Sequence, residues 1–414
     1  MSVLPTRART VSGAALTLGA LVAGASILAA RGAVAQSTAP TSPPVATDTS
    51  TRRVVPPDTT PKVTFGGFVD GYYAYDVTRP PTRDRSFAGG ALFTTQPSRS
   101  NEFNINLAYV EAKLDAARYR GRLALQFGTS VQSNYIGEPR TGQISGPSVQ
   151  QYIQEANAGV KLGKNFWVDG GIFFSNMGEE GWISRDSPTY TRSLVADYSP
   201  YYSSGVKFTY TPNAKLTARL DVVNGWQNIS ENNSGKAAGV RLDYAADANS
   251  TYSYWNFFSD EAGNLLRTFN GVGAKVTRGT LTLMGEADVG TQRRANGASS
   301  SSSWYGLLGV ARVQVTPMVA VVGRLERYND PDQVILSTGT RSVTSAVEGG
   351  NAIANPAFRG NGASLGVDVS PFSRVLFRTE LRGFQNRDAV FPDGKNADPR
   401  KTDAFAVTSL ALTF

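Results

Sequence analysis

The sequence predicts an all-β chain that crosses a membrane as a transmembrane antiparallel β-barrel of about 16 strands, with 14 or 18 as the neighbouring counts. Three observations carry this expectation. An apolar export segment stands at the N-terminus. The residues beyond it contain no apolar run near the roughly 20 residues that a spanning helix needs. They instead alternate apolar and polar side chains in segments of about ten.

The export segment places Arg7 and Arg9 ahead of an apolar run from Val11 to Ala30 and closes on Ala33-Val34-Ala35, a small-x-small cleavage pattern. Residues 1–35 therefore read as a signal peptide. The abundance of Ala and Gly and the cleavage site argue against a retained anchor. Residues 36–61, rich in Pro, Thr and Ser, bury too little apolar surface to order themselves and read as a disordered periplasmic leader. Residues 62–414 are assigned to the barrel.

Within them the period is two. In the stretch Leu281 to Val289, Leu281, Leu283, Ala287 and Val289 share one face while Thr282, Glu286 and Asp288 share the other. A soluble sandwich alternates in the same way, so the export signal and the connections decide. Short connections fall near Asp115, Gly163, Thr211, Asp247, Thr277, Thr316 and Ser370. Long ones fall near residues 77–100, 132–149, 176–200, 228–236, 260–268, 292–302, 329–360 and 386–403. Tight periplasmic turns alternating with long extracellular loops are the asymmetry of an outer-membrane barrel. One stretch resists: from Asn104 to Leu114 the alternation shifts face, which calls for a bulge or an interfacial strand end. The chain finishes on an alternating strand with Leu410, Leu412 and the terminal Phe414 on one face, which fits an assembly signal for barrels.

Composition removes whole classes of activity. No histidine is present, so Ser-His-Asp chemistry and His-based metal sites are excluded. No cysteine is present, so thiol chemistry and a disulfide framework are excluded too. The pair Glu179-Glu180 reads as solvated loop charge. Gly271-x-Gly273 lacks the rest of a phosphate loop, and Asn329, Asp330 and Asp332, or Asp393, Asn396 and Asp398, lack calcium-loop spacing. We expect no enzyme, no cofactor and no metal. The net charge of +8 is spread along alternating strands, and Arg7, Arg9 and Arg31 leave with the export segment, so nucleic acid is not an expected partner.

The stretch Ile153 to Leu162 (IQEANAGVKL) followed by Trp167 to Phe174 resembles the OmpL-like family of β-barrel porins. Further segments fit the same series: Asn101 to Leu114, Arg120 to Tyr135, Thr191 to Tyr202, Gly205 to Pro212 and Val222 to Gln227. The resemblance covers about the first half of the barrel. It implies an outer-membrane barrel that passes small solutes, and it supplies no catalytic residues.

Strand phase projects Arg122, Glu155, Lys161, Asp169, Lys207, Arg219, Asp221, Arg241, Asp243, Glu286, Asp288, Arg312, Arg324, Glu326, Asp368, Arg374, Arg378, Glu380 and Arg382 into the pore. The signs nearly balance, and pairs two apart on a strand partly neutralise each other, so weak ion preference is expected. The loop 176–200, carrying Glu179, Glu180, Asp186 and Asp197, is the candidate constriction if it folds inward against Arg374, Arg378 and Arg382. The other arrangement pairs this arginine ladder only with neighbouring strands. Tyr72, Tyr73, Tyr75, Trp226, Tyr252, Tyr254, Trp255 and Trp304 read mostly as girdle residues at the headgroup boundary. A sugar track would need inward phase, as at Trp255. The expected function is passive diffusion of small hydrophilic solutes or ions through the outer membrane. The alternative is a structural or adhesive barrel with a plugged lumen and partner-binding loops. Expected partners are outer-membrane lipids, the barrel assembly machinery and small solutes, and the size suits a homotrimer.

Overall fold

The computed structural model describes residues 60–261, 265–294, 301–339, 356–396 and 398–414. The expected signal peptide, and the leader as far as residue 59, lie outside the described residues. The rest forms strands β1 (Lys62–Asp76), β2 (Glu102–Asp115), β3 (Tyr119–Phe127), β4 (Ile153–Gly163), β5 (Phe166–Phe174), β6 (Tyr202–Asn213), β7 (Leu216–Val223) and β8 (Ala237–Asp247). It continues with β9 (Ser250–Glu261), β10 (Leu265–Arg278), β11 (Leu281–Arg293), β12 (Ser301–Gln314), β13 (Val319–Asp330), β14 (Phe358–Phe372), β15 (Val375–Asn386) and β16 (Thr402–Thr413). Each strand pairs antiparallel with its sequence neighbours, and β16 returns to β1, so the sheet is a closed barrel of 16 strands. Closure leaves no sheet edge, which is what lets a β-structure sit in hydrocarbon.

The alternation runs the way a membrane demands. Leu281, Leu283 and Val289 face outward and are exposed, whereas Glu286 and Asp288 between them are buried inside. Leu123, Leu125 and Phe127 on β3 and Phe377 and Leu381 on β15 likewise point out. On β2 the shift of face has a local cause. The pairing with β1 slips between Asp70 and Gly71, leaving Asn106 as an extra residue, and its Nδ2 donates to Asp70 Oδ2 at 2.8 Å. Beyond this bulge Leu107 and Tyr109 turn inward, while Phe103 before it stays outside.

The seam of the barrel is closed by its last residue. Gly67 N–H donates to Phe414 O and Phe414 N–H to Gly67 O, each at 3.0 Å. The Phe414 ring lies over Gly67, where a Cβ would sit 2.3 Å from ring carbons, so this contact requires glycine.

The aromatic girdle is a correction. Tyr75 and Tyr252 are exposed as a girdle requires, but Tyr72, Trp255 and Trp304 are buried inside the barrel. Trp226, from the loop after β7, packs edge-on against Phe257, Phe269 and Trp304. Long loops folded over the mouth give inward rings a dry neighbour, which strand phase alone does not reveal.

Candidate functional site

Residues 176–200, between β5 and β6, lie within the ring of strands. The proof is in their partners. Ser184 Oγ donates to Asp70 of β1 at 2.8 Å, and Trp182 Nε1 donates to Gln126 of β3 at 2.9 Å. Glu179 N–H donates to Glu286 of β11 at 2.8 Å, and Leu194 N–H to Glu326 of β13 at 2.6 Å. Arg241 of β8 donates to the carbonyls of Asn176 and Gly178, and Arg185 reaches Thr413 of β16. A segment that bonds strands all around the circumference can only be inside it. It carries a 3-10 turn (Ser184–Asp186) and a short helix (Leu194–Asp197) whose Ser193 side chain caps the Ala196 N–H.

The basic ladder of β15 is where the loop is held. Arg378 donates to the carbonyls of Ser184 (2.6 Å), Ser187 (2.9 Å), Pro188 (3.2 Å) and Thr189 (3.0 Å), while its Nε meets Asp368 of β14 at 2.9 Å. Arg382 pairs with Glu326 at 2.7 Å, and Arg324 with Glu380 at 2.9 Å. These two bridges cross β14 between β13 and β15. They fit because the inward positions of β14 are small: a Cβ at Gly362 would lie 2.5 Å from the Glu326 carboxylate. Thr191 then binds Glu380 through both its N–H (2.8 Å) and its hydroxyl (2.9 Å). The whole cluster is buried, and every charge in it has an opposite partner.

Arg374 departs from expectation. It sits in the tight turn before β15 and is exposed, so only Arg378 and Arg382 of that trio reach the loop. The acidic loop residues do not ion-pair with the ladder either. Glu180 accepts from Ser193 N–H at 2.9 Å and from the Ser193 hydroxyl, within the loop itself. Asp197 accepts from Thr95 at 2.6 Å and lies 3.6 Å from Arg192. Arg192 is stacked between Trp182 and Tyr201. Burial pushes the carboxyls of Glu180 and Asp197 up, against the pull of Arg324 on the first and Arg192 on the second. Glu179 lies 3.6 Å from Arg241, and Asp186 is exposed. What meets the ladder is loop carbonyls at Arg378 and the Thr191 hydroxyl at Arg382, oxygens that satisfy a buried guanidinium without adding charge.

The opposite wall, from β3 to β8, is layered. Arg120 pairs bidentately with Asp169, at 2.6 and 2.5 Å, and its side chain is 34% exposed against 2% for the aspartate. Arg122 bridges Glu111 and Glu155, and Arg219 chelates Asp221 at 2.6 Å, with the arginine in each case more exposed than the acid. On the side that seats the loop, Arg312 of β12 stands over Asp368 of β14 in the same sense, 29% against 5%. Arg241 and Asp243 pair at 2.9 Å with the order reversed. Lys161, Lys207 and Lys275 face the same space and take part in no ion pair among the described residues. Lys161 instead lies over Trp167, and Lys207 over Phe173. Glu286 and Asp288 are buried beside Glu179.

Sequence reading missed the inward Arg120 on β3, Glu111 and Lys113 on β2, and Lys275 on β10. Gly121 and Gly273, each two residues or fewer from a charge, broke the apolar alternation that strand phase relies on. No group of His, Cys, Asp or Glu among the described residues is arranged to hold a metal ion.

The family model described as "Putative beta-barrel porin-2, OmpL-like" matches residues 62–414. Among solved structures, the chain is similar to an anion-selective porin from Comamonas acidovorans, at 12% identity and a TM-score of 0.53, covering 86% of this chain and 100% of that one. It is similar to the outer membrane channel DcaP of Acinetobacter baumannii, at 10% identity and a TM-score of 0.53, covering 86% and 97%. OmpT, an outer membrane protein of Vibrio cholerae, aligns at 9% identity and a TM-score of 0.52, covering 86% and 98%. No curated protein matches the chain.

Proposed function

Because this chain belongs to the OmpL-like β-barrel porin family and resides in the outer membrane as a porin-like channel, we propose that it passes small hydrophilic anions by diffusion past a fixed internal constriction. The constriction is the loop 176–200, seated on Arg378, Arg382 and Arg324. The observation that carries the reading is the layering of the opposite wall: at Arg120, Arg122 and Arg219 the carboxylates lie beneath and the guanidinium groups toward the water, with Arg241–Asp243 the one pair in the reverse order among those described there. Counting charges along the strands predicts little preference, since the signs balance. Depth breaks the balance, because a charge near water acts on a passing ion while a buried partner is covered by its own counter-ion. Lys161, Lys207 and Lys275, which form no ion pair among the described residues, add to the same sign. The similar Comamonas protein is described as anion-selective, which agrees in kind.

No catalytic role is assigned to any residue, and the work is done by shape and field. An N-terminal signal peptide would bring the chain to the periplasm, the Leu410, Leu412 and Phe414 face would present it for assembly, and a homotrimer suits a barrel of this size. The test is single-channel recording of the refolded chain in planar bilayers under a salt gradient. Discrete steps with a reversal potential of anion-selective sign support the proposal. A verified folded barrel that conducts nothing favours the plugged, partner-binding alternative instead.

A further inference from the structure

The outer surface of β11 to β16 carries a feature that a lipid-facing wall does not need. Gly285, Gly309, Leu325, Ala363, Gly383 and Ala404 stand opposite one another in register across six strands. Leu325 is 71% exposed, which fixes this row on the outside. Five of the six positions are Gly or Ala, so the wall is recessed there, and with the rows beside it it forms an apolar groove of about 1370 Å³.

Directly toward the long loops the chemistry changes. Two residues further along β13, β14 and β15 stand Arg327, Asn361 and Gln385, again in register. One more step brings Arg359, opposite Asn329, and Arg387, whose N–H donates to Arg359 O at 3.3 Å. Strand geometry sets these rows roughly 7 Å apart and neighbouring strands about 5 Å apart. The three arginines line a depression of about 310 Å³ with Asn361, Gln385 and Asn386. Arg327 donates to Tyr305 Oη at 2.9 Å and to Asn361 Oδ1 at 3.0 Å, and none of the three is in an ion pair among the described residues. The outward positions of β13, β14 and β15 hold no carboxylate. Asp388 follows Arg387 in the loop and forms no ion pair with it among the described residues.

We propose that this face binds one anionic lipid of the surrounding leaflet, with its phosphate groups on Arg327, Arg359 and Arg387 and its acyl chains in the Gly and Ala groove. Charge complementarity selects the occupant. Three guanidiniums beside hydrocarbon with no ion-pair partner among the described residues call for a phosphate, which each can meet with paired N–H donors. The recess below them accepts chains that a flat wall would turn away. A second copy of the barrel would satisfy the groove but leaves the arginines without a stated anion.

The test uses the full refolded barrel in neutral detergent and native mass spectrometry, with bisphosphorylated lipid A, its dephosphorylated form, phosphatidylcholine and inorganic phosphate as probes. Retention of one bisphosphorylated lipid per barrel, weakened about tenfold or more in R327Q/R359Q/R387Q, is the expected result. G309L/G323L, at two glycines that line the groove, is expected to weaken it as well. New side chains at those two positions enter open space, with at most Ser364 O at 4.0 Å, so the barrel itself should fold as before. Heat-modifiable gel migration checks that it does. Equal retention of all lipids, or undiminished retention by the arginine variant, overturns the proposal. So does displacement of the lipid by inorganic phosphate alone, which makes the site one for free anions. If G309L/G323L breaks an oligomer and leaves lipid retention intact, the face belongs to a second copy.

Discussion

Arg378→Met tests the seating of the internal loop at its strongest point. The substitution keeps a side chain of similar length and removes a guanidinium that serves four loop carbonyls and Asp368 at once. A hydrogen bond involving a charged group contributes ~1.5–3 kcal/mol. The four carbonyls share one cation and regain water when it leaves, so the net loss amounts to about two such bonds, or ~3–6 kcal/mol. Asp368 is not orphaned, since Arg312 stands 3.5 Å away. At about 1.4 kcal/mol per factor of ten, the share of barrels with the loop unseated rises roughly a hundredfold to ten-thousandfold. Unitary conductance and the size of the largest polymer admitted should both increase, with added open-channel noise. Arg374→Met removes the same charge from an exposed turn and should change neither. A folded Arg378→Met barrel with wild-type conductance and polymer cut-off would show that this loop does not set the restriction.

Three further outcomes are expected. K161Q/K207Q/K275Q should move the reversal potential toward cation preference while leaving unitary conductance within about twofold, because the lysines set the field and not the bore; an unmoved potential would remove them from the selectivity argument. Glu180→Gln keeps an acceptor for Ser193 and discards a charge whose pKa is raised by burial. The native state therefore holds that proton more tightly than the unfolded chain, and stability falls as pH rises from the ordinary carboxylate value through the raised one. The variant should match wild type in thermal midpoint at acidic pH and exceed it at neutral pH, and the reverse order would refute the sign. Gly67→Val should collide with the Phe414 ring and lower the yield of heat-modifiable barrel, with partial rescue by Phe414→Ala; rescue failing while the single variant is defective would point to a backbone effect instead.

Much of the architecture was legible because turns and lipid leave plain marks. Asn165, Asp247, Gly279 and Pro317 punctuate tight turns, and each of the seven short connections falls at a junction between strands. The inward phase of Arg219 with Asp221 and of Arg241 with Asp243 follows from the period of two, and both pairs form. Partners two strands apart were not legible. Arg378 was expected to neutralise Glu380 on its own strand, yet it binds Asp368, while Glu380 goes to Arg324 across β14. The signal was present in Gly360, Gly362 and Gly366, which clear the inward face of β14 and allow charges to meet over it. Nor does local pattern reveal that Trp304 is covered by Trp226, from a loop distant in sequence. The acids of the internal loop drew attention by their charge, but backbone carbonyls, which no sequence pattern displays, do the holding.

The 3-10 turn of the internal loop touches both sides of the join between the first strand and the last: Ser184 on Asp70, and Arg185 on Thr413 and on the carbonyl of Ser373. This part of its platform is complete only when β1 and β16 meet. Full seating of the narrowing loop thus waits on closure of the ring. A half-zipped intermediate would carry a dangling insert and a wide, unregulated leak, and the same latch that completes the passage also rewards the ring for having shut.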